Sequence, residues 1–182
     1  MQMQRTLLIG LGNPGEEHAG TYNNVGWELL DFLKVKLEEK YGPAPLQKGK
    51  NFHFRTYGDL HLIYPDTYMN RSGAAIIEAL KWFDKEPEDA VIFHDDSDLA
   101  IGEYREADGG AAGHHGIESV LEAFQDTAFP RVRIGIRDLR EKNGEHPRRK
   151  AGDFVLKRIS KEDDEKLQEV FRELFLKLAG NA

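Results

Sequence analysis

Hydrophobic and polar positions change period along the first half of the chain, and this predicts strands and helices in turn. The apolar run RTLLIGL at 5–11 predicts a buried strand that ends at glycine. Apolar residues at helical spacing predict a helix over 25–40. FHFRTYGDLHLIYP predicts a hairpin that turns at Gly58–Asp59, and AVIFHDD and GEYREA each predict a further strand.

The second half continues this alternation. Ser72 is expected to cap a helix, and the stretch GGAAGHHGIE leads into another. RVRIGIRD, residues 131–138, alternates Arg with Val or Ile and predicts a strand with one solvated face. Ser160 and Asp163 resemble a capping box before the last helix. The order predicts an α/β fold, a single domain over 1–182 with a mixed, twisted sheet flanked by helices.

Composition excludes several classes of protein. The chain has no cysteine, which rules out disulfides and thiol catalysis. No apolar run approaches the roughly 20 residues that a membrane-spanning helix needs. The N-terminus enters a short strand without the features of a signal peptide. We therefore expect a cytoplasmic protein with no membrane partner, and we expect a monomer.

Charge is unevenly distributed. The net charge is −7, yet residues 131–158 hold ten Lys and Arg against four Asp and Glu, a local charge of +6. Such a basic sector could receive a phosphate backbone. A solvated loop and strand edge would give the same pattern, so charge alone leaves both interpretations open.

Two polar segments follow predicted strands. LLIGLGNPG matches G-x-G-x-x-G, but the next residues lack the apolar period of a dinucleotide-binding helix, so that function is rejected. The loop still presents Asn13 at the end of a strand, a common position for a site. FHDDSDL places His94, Asp95, Asp96 and Asp98 past another strand. These residues could orient a general base, bind a divalent cation or form an acidic turn.

A third segment, YPDTYMNRSG, precedes the helix that begins near Ser72. Asn70 offers both a donor and an acceptor, and Tyr68 and Met69 offer stacking and packing surface. Taken alone, the segment also fits an ordinary turn with a core methionine.

Five segments in this order resemble the bacterial peptidyl-tRNA hydrolase family: LLIGLGNPG, YPDTYMNRSG, HDDSDLAIG, GGAAGHHGI and RVRIGI. The resemblance runs from residue 6 to about 178. It implies hydrolysis of the ester between a peptide and the 3′-terminal ribose of tRNA, which recycles the tRNA. It also implies that the acceptor end of peptidyl-tRNA is the partner and that neither a metal nor a cofactor is needed.

The resemblance assigns roles to individual positions. Asn13 matches a site asparagine, and Met69 and Asn70 match a substrate-lining pair. Asp95 matches the aspartate that orients the base, and His114 matches a site histidine. The further residues expected to contact substrate are Tyr68, Gly113, Tyr22, Arg105 and Arg133.

The sequence departs from the family at the base. TYNNVG places Asn23 where the family has its catalytic histidine and Tyr22 where it has arginine, and His115 replaces a family asparagine. A neutral amide cannot accept a proton at pH 7. We expect His115 to be a relocated base oriented by Asp95, with Asn23 as a polar contact. His18, in the same loop as Asn23, is an alternative base.

Two other functions stay open from the sequence. One is a hydrolysis-deficient homologue that binds tRNA or structured RNA, which loss of the base histidine would explain. The other is a metal-dependent phosphoesterase using His94, Asp95, Asp98 and His114.

Overall fold

The computed structural model describes residues 6–107, 110–125 and 129–179. Arg5, in the predicted first strand, and Gly109, in the glycine-rich stretch, lie outside these residues. The described chain contains seven strands: β1 Leu7–Gly10, β2 Gln47–Lys48, β3 Phe52–Tyr57, β4 Leu60–Pro65, β5 Ala90–Ala100, β6 Tyr104–Ala107 and β7 Arg131–Arg137.

These strands form one mixed sheet in the order β2-β3-β4-β1-β5-β7-β6. The four central strands are parallel, since β1 pairs with β4 and β5, and β5 pairs with β7. The hairpin β3–β4 and the edge pair β6–β7 are antiparallel. The predicted α/β fold with a mixed sheet is confirmed, and so is the hairpin between Tyr57 and Leu60.

Helices cover both faces of the sheet. They are α1 Val25–Tyr41, α2 Ser72–Phe83, α3 His115–Ala123, the short α4 Leu139–Lys142 and α5 Lys161–Ala179. Leucines of α1 and apolar residues of α5 belong to the core on one face, whereas apolar residues of α2 and α3 belong to the core on the other. The central strands are therefore buried on both sides, as parallel strands generally are.

The beginning of α1 approaches the sheet closely, and glycine permits this. A Cβ added to Gly26 would lie 2.4 Å from the carbonyl oxygen of Phe93 and 2.7 Å from the backbone nitrogen of Leu11. Any larger residue would push the helix away from the ends of β1 and β5. The residues just before α1 are thereby held beside the carboxyl ends of the two strands.

Two local predictions are wrong. Ser72 is the first residue of α2 rather than its cap, and its hydroxyl donates to the carbonyl oxygen of Met69 at 2.9 Å. The arginines of β7 do not form one solvated face, because Arg131 and Arg137 are buried. Arg137 is tolerated there because it donates to Glu141 and to two carbonyl oxygens, and a buried charge needs such partners.

Candidate active site

A cleft of about 450 Å³ opens at the carboxyl edge of the parallel strands. The loops that follow β1 and β4 form it, together with the beginning of α3 and the segment before α5. Residues 94–97, which were predicted to follow a strand, line it from within β5 itself. Ligands bind at this edge of an open α/β sheet because the connecting loops separate there. The residues lining it are Asn13, Asn23, Tyr68, Met69, Asn70, His94, Asp95, Asp96, Ser97, Ala111, Ala112, Gly113, His114, His115, Ala151, Gly152, Val155 and Leu156.

Asn13 is held in one orientation on the floor of the cleft. Its Oδ1 accepts from the backbone N–H of Met69 at 2.7 Å. Its own backbone N–H donates to Oδ1 of Asn24 at 2.8 Å, and Nδ2 of Asn24 donates to the carbonyl oxygen of Asn13 at 3.0 Å. With Oδ1 occupied, the amide nitrogen of Asn13 is the group left to donate to a ligand.

Asp95 and His114 form a hydrogen-bonded pair in the cleft. Nε2 of His114 donates to Oδ1 of Asp95 at 2.9 Å. Nδ1 of His114 accepts from the backbone N–H groups of Gly116 at 3.1 Å and Ile117 at 3.3 Å, so this side chain caps α3. Both ring nitrogens of His114 therefore have partners, and the capping contacts fix the tautomer with hydrogen on Nε2.

Two opposing effects act on the pKa of His114. Burial lowers it, but the Asp95 carboxylate raises it by more, so the pKa lies above the usual value. A second proton would have to enter at Nδ1, where it would displace the backbone donors of Gly116 and Ile117. The contacts that cap α3 therefore favour the neutral ring and limit the rise in the pKa of His114.

His94 lies behind this pair and stays neutral. Nδ1 of His94 donates to the carbonyl oxygen of Asp95 at 2.7 Å, and its ring lies edge-on to that of His114 with 4.6 Å between centroids. Burial, reinforced by His114, holds the pKa of His94 well below its usual range. Its Nε2 is buried and has no hydrogen-bond partner among the described residues.

The expected pairing of Asp95 with His115 is wrong. The side chain of His115 is 79% exposed, and its Nδ1 lies 2.9 Å from Oε2 of Glu118. His114 is the extended residue that caps α3, whereas His115 is the first residue inside the helix. Neighbouring side chains at such a boundary point in different directions, so only His114 reaches Asp95.

The two other residues predicted to depart from the family pattern, Asn23 and Tyr22, also have definite places. Asn23 lines the cleft, and its backbone N–H donates to the carbonyl oxygen of Val155 at 2.8 Å. Tyr22 lies outside the set of lining residues: its hydroxyl donates to Oδ2 of Asp163 at 2.6 Å, at the beginning of α5. Burial, with Asp163 nearby, raises the pKa of Tyr22.

His18 and the proposed tRNA-contacting arginines do not reach the floor of the cleft. The ring of His18 lies edge-on to Tyr68, with 6.3 Å between centroids. Arg133 forms an ion pair with Asp96. Arg105 is exposed on the edge strand β6 and is not among the described residues that line the cleft.

The set proposed for a metal-dependent phosphoesterase does not converge. Asp98 forms an exposed ion pair with Arg148, and the ring nitrogens of His114 are engaged as described. Within residues 6–107, 110–125 and 129–179, no group of three or more His, Asp or Glu could hold a metal ion. In the same ranges, no helix is long and apolar enough to cross a membrane.

Sequence reasoning missed two parts of the site. Asn24 was not predicted as a site residue, although it joins the loop of Asn13 to the beginning of α1. The wall formed by Ala151, Gly152, Val155 and Leu156 was not predicted as part of a site. The doubled asparagine in TYNNVG was the available signal for Asn24, whereas the wall had none.

The fold and the cleft define an α/β protein that brings amide, carboxylate and imidazole groups together at one edge of its sheet, the groups that acid–base catalysis uses. Comparison with known proteins gives the family. The family model described as peptidyl-tRNA hydrolase matches residues 7–179, and the chain belongs to this family.

Individual relatives agree with this assignment. The chain is similar to a peptidyl-tRNA hydrolase of Lactiplantibacillus plantarum, with 32% identity over 88% of this chain and 86% of the relative. It is 35% identical to one from Hahella chejuensis, over 92% and 84% of the two chains. One from Synechococcus sp. (strain JA-3-3Ab) is 39% identical over 71% of this chain, and this match spans 59% of that relative's length.

Solved structures give the same result. The crystal structure of peptidyl-tRNA hydrolase from Acinetobacter baumannii superimposes with a TM-score of 0.79 and 28% identity, covering 98% of this chain and 89% of that one. A complex of peptidyl-tRNA hydrolase with N-propanol gives a TM-score of 0.78 at 28% identity, over 97% and 88% of the two chains.

Proposed function

We propose that this protein hydrolyses the ester that joins a peptide to the 3′-terminal ribose of tRNA, in the cytoplasm and without a metal or cofactor. The orientation of Asn13 carries the proposal. Its Oδ1 is taken by Met69, so a donor rather than an acceptor is presented to a ligand in the cleft. Membership of the peptidyl-tRNA hydrolase family supplies the class of ester.

Hydrolysis of an ester passes through a tetrahedral intermediate whose oxygen carries negative charge. The amide nitrogen of Asn13 donates to this oxygen, and the exposed Asn70 supplies a second donor or binds the peptide backbone. Both side chains come from loops at strand ends, where they meet a bound ester from two sides.

The rim of the cleft suits the two ends of the substrate. Tyr68 and Leu156 are lining residues that are 60% and 57% exposed, a large apolar surface for a peptide side chain or the terminal base. The buried Met69 continues this surface inside, and the exposed Gly113 also lines the cleft. Arg105 and the basic residues of 131–158 that remain exposed would contact the tRNA backbone outside the cleft, and salt would weaken that contact.

Turnover of a defined substrate tests this function. Purified protein is incubated with an N-acetylaminoacyl-tRNA, with a chelator present, and free tRNA and free acyl amino acid are quantified. We expect both products in equal amounts. Intact substrate that stays bound to the protein would contradict hydrolysis, and products cut at a phosphodiester would indicate a different reaction.

Asn13→Asp tests whether the amide nitrogen of Asn13 takes part in the reaction. The substitution keeps the size of the side chain and an oxygen for Met69, but it replaces the amide donor by a carboxylate. We expect kcat to fall by about 10²–10³-fold, as for loss of one oxyanion donor. Unchanged turnover in Asn13→Asp would remove Asn13 from the mechanism.

A further inference from the structure

We propose that the general base of this cleft is the carboxylate of Asp95 itself, acting directly on water rather than through a histidine. The inference deepens the proposed function and rests on it. It assigns Asp95 a role different from that of orienting a base, which the family resemblance implies.

The histidines that line the cleft are each unsuited to accept the proton. His114 has Nε2 on Asp95 and Nδ1 under two backbone N–H groups. His94 has Nδ1 on the carbonyl oxygen of Asp95, and its remaining Nε2 is buried without a hydrogen-bond partner among the described residues. His115 is turned out toward Glu118. Asn23, in the place of the family's histidine, has no basic lone pair.

Asp95 has one oxygen held and one available. Oδ1 accepts from His114, and among the described residues no donor is bonded to Oδ2. Asp95 is among the residues that line the cleft, so Oδ2 is the oxygen left to accept from a bound water. The backbone of Asp95 is fixed opposite Ile134 in the β5–β7 ladder, inside β5 rather than in a loop, which holds the carboxylate in place.

The ionisable groups around Asp95 come from β5, β7 and α3. From β5 it faces the neutral His94 and Asp96, and Asp96 is paired with Arg133 of β7. The buried Arg131 of β7 lies on the same side as His94. The remaining walls contribute His114 and the exposed His115 from α3, neutral amides from the loops, and the uncharged lining residues Ala151, Gly152, Val155 and Leu156.

The reaction balances with these groups alone. A water beside Oδ2 attacks the ester carbonyl carbon while Asp95 takes one of its protons, and Asn13 donates to the carbonyl oxygen as it becomes negative. The intermediate then collapses, the bond from carbon to the ribose oxygen breaks, and the proton on Asp95 passes to that oxygen. The products are a peptide carboxylic acid, which ionises, and tRNA with a free terminal hydroxyl.

The proposal has a direct consequence for pH dependence. Carboxyl groups ordinarily titrate near pH 4, whereas imidazoles titrate near 6.5. With a carboxylate base, kcat/KM holds its plateau from about pH 8 down to about pH 5. A histidine base would instead make kcat/KM fall tenfold per pH unit below about 6.5. Protonation of His114 would leave its Nε2–H bond to Asp95 in place.

The test compares pH profiles of kcat/KM for the wild type, Asp95→Asn and Asn23→His, with near-UV circular dichroism recorded at each pH to confirm folding. We expect Asp95→Asn to lose about 10²–10⁴-fold at pH 7.5, which is the range for a general base. We expect the acidic limb to move up toward pH 6.5 in Asn23→His, because an imidazole then stands in the same cleft. His18→Ala should keep the profile of the wild type, whereas His114→Asn should lower kcat/KM at every pH without moving the acidic limb.

The outcomes separate the two proposals. A wild type that turns over substrate with an acidic limb near pH 6.5 would overturn the carboxylate base and leave the proposed hydrolysis intact. Loss of the plateau in a single histidine variant would overturn it in the same way and identify the histidine. A folded wild type without any turnover would overturn both.

Discussion

His114 and His115 are neighbours in the chain but occupy opposite environments. The side chain of His114 is 11% exposed and joins Asp95 to the beginning of α3, whereas that of His115 is 79% exposed and pairs with Glu118 of its own helix. The cause is the helix boundary: the capping residue turns its side chain back over the first N–H groups, and the next residue projects outward. Adjacency in the sequence therefore does not place two side chains in one site.

Substitution of His114 should have the larger effect of the two. His114→Ala removes the cap of α3 and the donor to Asp95. We expect the free energy of unfolding to fall by about 1–2 kcal/mol and kcat/KM to fall by about tenfold. Urea unfolding and steady-state kinetics measure the two effects.

His114→Asn separates these roles. Asparagine is a good capping residue, but its amide is too short to replace the imidazole between the helix and Asp95. We expect at least half of the lost stability to return while kcat/KM stays as low as in His114→Ala. Equal stability of the two variants would show that the cap contributes little.

A third histidine, His94, adds to this comparison through the pH dependence of the free energy of unfolding. Its pKa is depressed in the folded protein, so the unfolded chain takes up a proton first as pH falls below about 6.5. The neutral His94 therefore costs no stability above that pH. Below it, the free energy of unfolding falls by up to about 1.4 kcal/mol per pH unit.

His94→Asn is the variant that isolates this contribution, since its amide N–H can replace the imidazole N–H on the carbonyl oxygen of Asp95. We expect its unfolding free energy to fall less steeply between pH 6.5 and 5 than that of the wild type. Parallel curves for the two proteins would mean that His94 is already protonated in the fold.

The smallest effect is expected at His115. The contact with Glu118 is an exposed pair within one helix, which is worth about 0.5 kcal/mol or less. His115→Ala should change the equilibrium constant for unfolding by less than threefold, and kcat/KM by less than threefold. A hundredfold loss of turnover would restore His115 as the relocated base.

Much of this molecule could be predicted from local patterns. The hairpin at Gly58–Asp59 and the helix over 25–40 agree with the structure within a residue or two. Asn13, Met69, Asn70, Asp95 and His114 do line one cleft. Loops at the carboxyl ends of parallel strands meet at one edge of the sheet, so segments far apart in sequence could be assigned to one site.

What could not be predicted depends on partners distant in the sequence. Arg137 looked like a surface residue because Glu141 and the carbonyl oxygens of Ser97 and Arg149 surround it only in the fold. Tyr22 looked like a substrate contact because Asp163, 141 residues away, was not visible as its acceptor. The direction of His115 depended on which histidine caps α3, and either could have done so.

One measurement tests the central claim most directly: the single-turnover rate of ester cleavage by the wild type at pH 5.5 and at pH 7.5, with the protein in excess over N-acetylaminoacyl-tRNA. With Asp95 as the base, the two rates agree within about twofold, because a carboxylate stays ionised across this interval. A rate at pH 5.5 about tenfold below that at pH 7.5 would show that an imidazole takes the proton and would contradict the account.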